Sequence, residues 1–283
     1  MSKLAIPFLA IGLIGVSFGA PLARFVPELP ALTIAFWRMV GASILLWTMS
    51  AIKQQGTIRR DKLIPVSIAG FFLALHFICF YGALKLIPVA NATLFSAMFP
   101  IFTLAYERFA QNRRIGKRAL VGLWLALAGV LLIQGFGLNL GRDFLLGNIL
   151  ALASSLFVTV VILLAEKARS DLSNILFTRW LYLFAAITLG AVGVVSSVDL
   201  SFHTNDLVWL ITLAVVPTLI GHNSMNYAVK FLRPSLVASM PLGEPVFASI
   251  LAWLLFRESV QMETLLGGII VLTGLIIVAK NRE

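Results

Sequence analysis

Charge is scarce in this sequence. Only 12% of its 283 residues are Asp, Glu, Lys or Arg, whereas 60% are hydrophobic. A soluble domain spends roughly 25% of its residues on charge to keep its surface in water, so water is excluded as the main solvent. Cysteine is scarcer still. Cys79 stands alone inside an apolar run, which rules out an intrachain disulfide, a cysteine metal cluster and a redox pair. There are three histidines, and one of them, His203, falls in a predicted connection, so no metal site is expected, and no cofactor either. Walker-type loops, zinc-protease helix motifs and nucleophile elbows are also missing, and an enzyme is not expected.

What fills the chain is one apolar run after another. A bilayer core takes roughly 20 apolar residues per helical crossing, so about ten crossings use up the sequence and leave no room for a soluble domain. Reading runs between charge and turn clusters predicts an all-α integral membrane protein with ten transmembrane helices. They fall over residues 4–22, 31–52, 63–84, 89–109, 118–137, 144–165, 174–196, 206–229, 235–256 and 263–280. The prolines of Arg24 to Pro30, Lys85 to Pro88 and Lys230 to Pro234 mark tight connections. The first run resembles a secretory signal, but Pro21 would follow the supposed cleavage point, so it is expected to remain as the first helix.

The net charge of +10 does not indicate nucleic acid, because the basic residues sit in the gaps between apolar runs instead of on one folded face. Their distribution carries another message. Sixteen of the 22 Lys and Arg fall on the side of the N-terminus, only Arg24, Lys85, Arg142 and Arg257 fall on the other, and Arg38 and Arg179 lie within spans. The positive-inside rule then predicts both termini in the cytoplasm.

The chain also repeats itself. At a shift of 141, Ile34, Phe36 and Arg38 meet Ile175, Phe177 and Arg179; at 146, Leu73, His76, Tyr81 and Pro88 meet Leu219, His222, Tyr227 and Pro234; at 145, Pro100, Gly122 and Gly129 meet Pro245, Gly267 and Gly274. Rare residues matching in order point to duplication. The halves, 1–137 and 144–283, hold five spans each. An odd number forces the second copy to enter from the other side, giving two inverted five-helix repeats, an arrangement suited to alternating access around a midplane site.

Near the end, "SMPLGEPVFASILAWLLFRESVQMETLLGGIIVLTGLIIV" resembles the closing signature of the EamA branch of the drug/metabolite transporter superfamily. The resemblance runs over nearly the whole chain. Glu244 and Pro245 match that family's frequent Glu-Pro pair and Glu258 its acidic turn. The first repeat departs from the pattern, with Phe99 in place of Glu244 and Glu107 placed early. The resemblance implies transport of small metabolites, often export of amino acids or amphipathic compounds, and leaves the substrate open. Organophosphate or nucleotide-sugar carriage and lipid flipping remain as alternatives. The expected partners are a small-molecule substrate and the lipid bilayer, with the chain a monomer or homodimer.

Ionisable groups inside spans usually face the bundle interior. Glu244 falls near the midplane of the ninth span, where Pro241 and Pro245 weaken the helix. It is a candidate to load and release a proton; the structural alternative is a protonated carboxyl bonded to a neighbouring helix. His76 and His222 are repeat partners. Thr218, His222 and Asn226 form a polar stripe at α-helical spacing, flanked by Asn223 and Tyr227, and Phe72, His76 and Phe80 form an aromatic one, flanked by Tyr81. These walls suit an amphipathic substrate, or the histidines serve packing. Asn91, Thr93, Ser96, Ser154, Ser155 and Thr159 offer hydrogen bonds to substrate or between helices. Arg38 and Arg179 either snorkel and cap carbonyls or bind a substrate carboxylate, with Trp37 at the mouth. The cavity is expected among spans one to four and six to nine, with the polar-poor fifth and tenth outside.

Overall fold

Backbone polar groups that enter hydrocarbon must be paired within their own segment, which leaves a chain of this composition the helix as its building block. The computed structural model describes residues 4–87, 89–134, 141–257 and 262–280, with backbone only at 89–91, 94 and 134. Every regular element among them is helical. The helices are α1 (Ala5–Ser17), α2 (Gly19–Ala23), α3 (Ala31–Ile52), α4 (Arg60–Leu84), α5 (Val89–Ser96), α6 (Phe99–Phe109), α7 (Lys117–Gln134), α8 (Arg142–Arg169), α9 (Asn174–Val195), α10 (Leu207–Leu213), α11 (Asn223–Ala228), α12 (Pro234–Ser239), α13 (Glu244–Phe256) and α14 (Met262–Lys280). A π-helix, Ala214–His222, joins α10 to α11, and a 3₁₀ turn, Met240–Gly243, joins α12 to α13. Eight continuous segments among the described residues are long and apolar enough to cross a membrane.

Three breaks have proline causes. The segment expected as one helix over 89–109 divides at Ala97 and Met98, just ahead of Pro100, which has no N–H to continue the ladder and crowds the residue before it. Pro241, inside the 3₁₀ turn, and Pro245, at the start of α13, interrupt the helix in the same way. The third break is the π-helix, and it corrects the α-helical spacing expected around His222. Pro217 cannot donate to the carbonyl four residues earlier, that of Leu213, and Thr218 Oγ1 donates to it instead, at 3.0 Å.

Glycines set the closest crossings. A Cβ on Gly129 would meet Gly267 O and Val271 N at 2.7 Å, and one on Gly122 would meet Gly274 O at 2.7 Å, so α7 and α14 lie backbone to backbone, where small residues permit tight helix association. A Cβ on Gly15 would stand 2.7 Å from Gly221, pinning α1 to the π-helix. Elsewhere α4 packs on α8 and α9, and α3 on α9.

The connections gather on two faces. On one, Lys62 pairs with Asp171 at 2.5 Å and Arg179 Nη2 donates to Gly56 O at 2.7 Å. On the other, Thr33 Oγ1 donates to Asp199 O and Trp37 Nε1 to Leu200 O, each at 2.7 Å, while Arg24 lies over the Phe256 ring at 4.3 Å. We call these the Lys62 face and the Arg24 face.

Candidate functional site

A cavity of about 350 Å³ runs inward from the Arg24 face. Its mouth is marked by exposed Arg24 and Pro27. Its walls come from α1 and α2, α3, α4, α5 with Phe99 of α6, α8, α9, the π-helix with α11, and the turn into α13; α7 and α14 contribute nothing to the lining. Most of the wall is apolar or aromatic, with a few polar groups converging on it, the composition usual for a small-molecule site.

Arg38 is the one arginine deep in this wall. It is only 4% exposed, and its Nε donates to Thr218 Oγ1 at 2.6 Å while its guanidinium lies 5.0 Å over the Phe77 ring. The hydroxyl that replaces the bond missing at Pro217 therefore also accepts from Arg38. A Cβ on Gly19 would stand 3.9 Å from Nη1, placing that end of the guanidinium beside α2. No carboxylate lies within 4.0 Å of the Arg38 guanidinium among the described residues.

His76 lines the cavity and is anchored to α8. Its Nδ1 stands 3.0 Å from Ser154 O and 2.8 Å from Ser154 Oγ, and Ser154 Oγ lies 3.1 Å from Ser96 Oγ. The carbonyl can only accept, so that contact is a hydrogen bond when Nδ1 carries a proton. Phe80 stacks parallel to the imidazole with centroids 6.2 Å apart. His222 makes no side-chain hydrogen bond among the described residues and meets Phe77 edge-on at 6.3 Å. Glu244 is the first residue of α13, a position where the helix dipole favours an acidic side chain, and its carboxyl borders the cavity.

A set of buried hydrogen bonds lies between the cavity and the Lys62 face. Buried Arg169 donates through Nε to Asn226 O at 3.0 Å and through Nη1 to Leu172 O. Asn174 Nδ2 donates to Asn223 O at 3.0 Å and Oδ1 at 2.7 Å. Beyond them Glu107, 1% exposed, accepts from Ser235 N at 3.0 Å and Ser235 Oγ at 2.7 Å. Arg113 stands 3.8 Å from Glu107 and 2.8 Å from Glu166.

Of the residues singled out from sequence, Arg38, His76, Phe80, Tyr81, Thr93, Ser96, His222, Asn226 and Glu244 line the cavity. Thr218 stands behind Arg38, Asn223 is committed to Asn174, and Tyr227 packs between Phe8 and Phe231 at centroid distances of 4.6 and 5.2 Å. Trp37 is held by the Leu200 carbonyl. Arg179 is drawn away to Ser50, Gly56 and the face of Trp47, so the two repeat arginines do different work. The side chain of Asn91 and the whole of Glu258 lie outside the described residues. Tyr182 and Phe77 line the cavity without having been singled out, and so does Phe99, noted only as the counterpart of Glu244; Tyr182, three residues after Arg179 on one helix face, was the most legible of them.

The profile of the EamA-like transporter family matches residues 3–135 and 145–280. The chain belongs to the EamA-like transporter family. As a family member it is a multi-pass membrane transporter, not an enzyme. Among similar proteins is the pseudopaline exporter CntI of Pseudomonas aeruginosa, 24% identical over 261 residues that make up 90% of this chain and 88% of the exporter. An uncharacterized transporter of Archaeoglobus fulgidus is 24% identical over 77% of each chain, and protein LicB of Haemophilus influenzae is 21% identical over 86% of this chain and 83% of its own. A solved crystal structure covering 100% of this chain and 99% of its own superposes with a TM-score of 0.85 at 14% identity, so the fold over the whole chain is one already seen in a solved protein.

Proposed function

We propose that this EamA-family transporter carries small amphipathic metabolites out across the bacterial inner membrane by alternating access. The observation that carries the reading is the central cavity, with exposed Arg24 and Pro27 at its mouth and the bonds of Arg169, Glu107 and Arg113 between it and the Lys62 face. With the basic excess of the Lys62 face in the cytoplasm, the conformation is outward-open and both termini are cytoplasmic. Exchange of the two closures would move the opening across the bilayer.

Two near-equivalent halves supply such an exchange. In this reading the divided α5–α6 segment and α7 also cross, giving ten spans as two inverted repeats, 1–137 and 144–283. The glycine seam supports it. Gly122 meets Gly274 and Gly129 meets Gly267, whereas the sequence repeat equates Gly122 with Gly267 and Gly129 with Gly274. Crosswise contact between equivalent residues is what a two-fold axis demands. Export is favoured by the similarity to an exporter. Glu244, a carboxyl bordering an apolar cavity, serves as the proton-coupling group.

Counterflow in proteoliposomes tests this, with a panel of amino acids and amphipathic cations. Accumulation of one class by the wild type, with Glu244→Gln transporting independently of pH, is the expected result. No accumulation of any compound would remove the carrier reading, and unchanged pH dependence in Glu244→Gln would remove the proton role alone.

A further inference from the structure

We propose that Arg38 is the specificity-determining residue of the central cavity and that it selects compounds in which an apolar body carries a carboxylate. The inference rests on the transporter reading of this cavity and adds the sign and chemistry of the group that is read.

A guanidinium removed from water is costly unless a counter-charge or a full set of acceptors meets it. Arg38 is buried, yet only Nε is bonded, to Thr218, and no carboxylate of the described residues is in ion-pair range. Arg38 lines the cavity, and Nη1 and Nη2 make no hydrogen bond among the described residues. Fixing Nε leaves that planar edge oriented, and a planar fork of donors matches the two oxygens of a carboxylate. Aromatic walls from Phe77, Phe80, Tyr81 and Phe99 suit the apolar body. A phosphate monoester is less suited, because the other arginine of the lining among the described residues, Arg24, stands at the mouth and not beside Arg38.

The repeat explains why only one such reader exists. Arg179 is the counterpart of Arg38, and the counterpart of Thr218 is Phe72, at the shift of 146 that equates His76 with His222. Phenylalanine offers no acceptor, and Arg179 turns instead to Ser50 and Gly56. The anion site is therefore single and one-sided.

Three probes that share a phenyl ring test this: 3-phenylpropionate, its primary amide and phenyl phosphate. Each is measured by thermal stabilisation of the purified full-length protein in detergent and by competition in proteoliposome counterflow. The wild type is expected to prefer the carboxylate over the amide by about tenfold or more, the worth of a charge-assisted bidentate contact. Arg38→Gln should bring that ratio to near one, Arg38→Lys should restore part of it, and Thr218→Val, which keeps the charge but frees the fork, should lower it. Equal affinity of the wild type for acid and amide, preference for phenyl phosphate, no stabilisation by any of the three, or a ratio that survives in both Arg38→Gln and Thr218→Val would each overturn the proposal. Arg38-dependent stabilisation without any counterflow would keep the anion site and sink the carrier reading.

Discussion

The carboxylate of Glu107 caps the first turn of α12 through Ser235, one oxygen accepting from the backbone N–H at 3.0 Å and the other from the hydroxyl at 2.7 Å. This joins a helix of the first half to one of the second between the cavity and the Lys62 face. Because Glu107 is almost fully buried, its loss leaves an orphan N–H and removes two charge-assisted bonds, at a cost of about 2–3 kcal/mol. Glu107→Ala should lower the thermal unfolding midpoint in detergent and make a cysteine placed at Ser239, in a chain whose Cys79 is replaced by Ala, more reactive to a water-soluble maleimide. A midpoint and labelling rate equal to the parent's would show that the cap does not hold the closure.

The α7–α14 seam makes a prediction from geometry alone. An added methyl at Gly129 would stand 2.7 Å from backbone atoms of Gly267 and Val271, which cannot swing aside, whereas Gly56 has nothing within 4 Å. Overpacking of this kind costs about 1–3 kcal/mol. Gly129→Ala should therefore destabilise the protein while Gly56→Ala, within about 0.5 kcal/mol of wild type, should not; equal midpoints for the two would refute the backbone contact.

How far this was readable in advance can be judged from particular residues. Span ends were legible because charges such as Lys53, Arg60 and Arg169 cannot follow the chain into hydrocarbon, and the helices end or begin at them. The glycines of α7 and α14 were legible as packing residues, though not their crosswise pairing, which depends on where the helices cross. The π-helix was hidden, since reading a polar stripe assumes 3.6 residues per turn and Thr218 takes up the carbonyl that Pro217 abandons. Treating Arg38 and Arg179 as equivalents was reasonable from their own neighbours. What separates them is the partner 180 residues from Arg38, and the Phe72 to Thr218 mismatch in the repeat held that information. Glu107, noted only as misplaced against a pattern, shows its role once α12 is beside it.

Asp171, in the turn after α8, and Lys62, in the first turn of α4, form an ion pair whose acidic member is 58% exposed at the side chain. The hydrogen bond from Lys62 holds the Asp171 carboxyl below the usual carboxylate value. A depressed folded-state value means that any stabilisation is complete at neutral pH and is lost only as pH falls through that lowered value. Any difference between wild type and Asp171→Asn in thermal unfolding should therefore be largest above about pH 5 and vanish at lower pH. Even at its largest it should be small, because exposed pairs contribute little in water. A clear loss of stability at pH 7 would mean that this pair does more than decorate the Lys62 face.

Arg169 offers the reverse case, a basic residue that sequence counting assigns to a loop but that is 2% exposed. Its Nε and Nη1 donate to the carbonyls of Asn226 and Leu172, so one planar group closes the end of α11 and the turn after α8 together. Arg169→Ala would strand both carbonyls and should cost about 2–4 kcal/mol. Arg169→Lys keeps the charge but has a single nitrogen, which cannot span two acceptors in the fork's geometry, and should recover only part of the loss. Thermal midpoints of the two variants in one detergent decide it. A lysine variant as stable as wild type would mean that charge alone, and not the paired geometry, closes this end of the cavity.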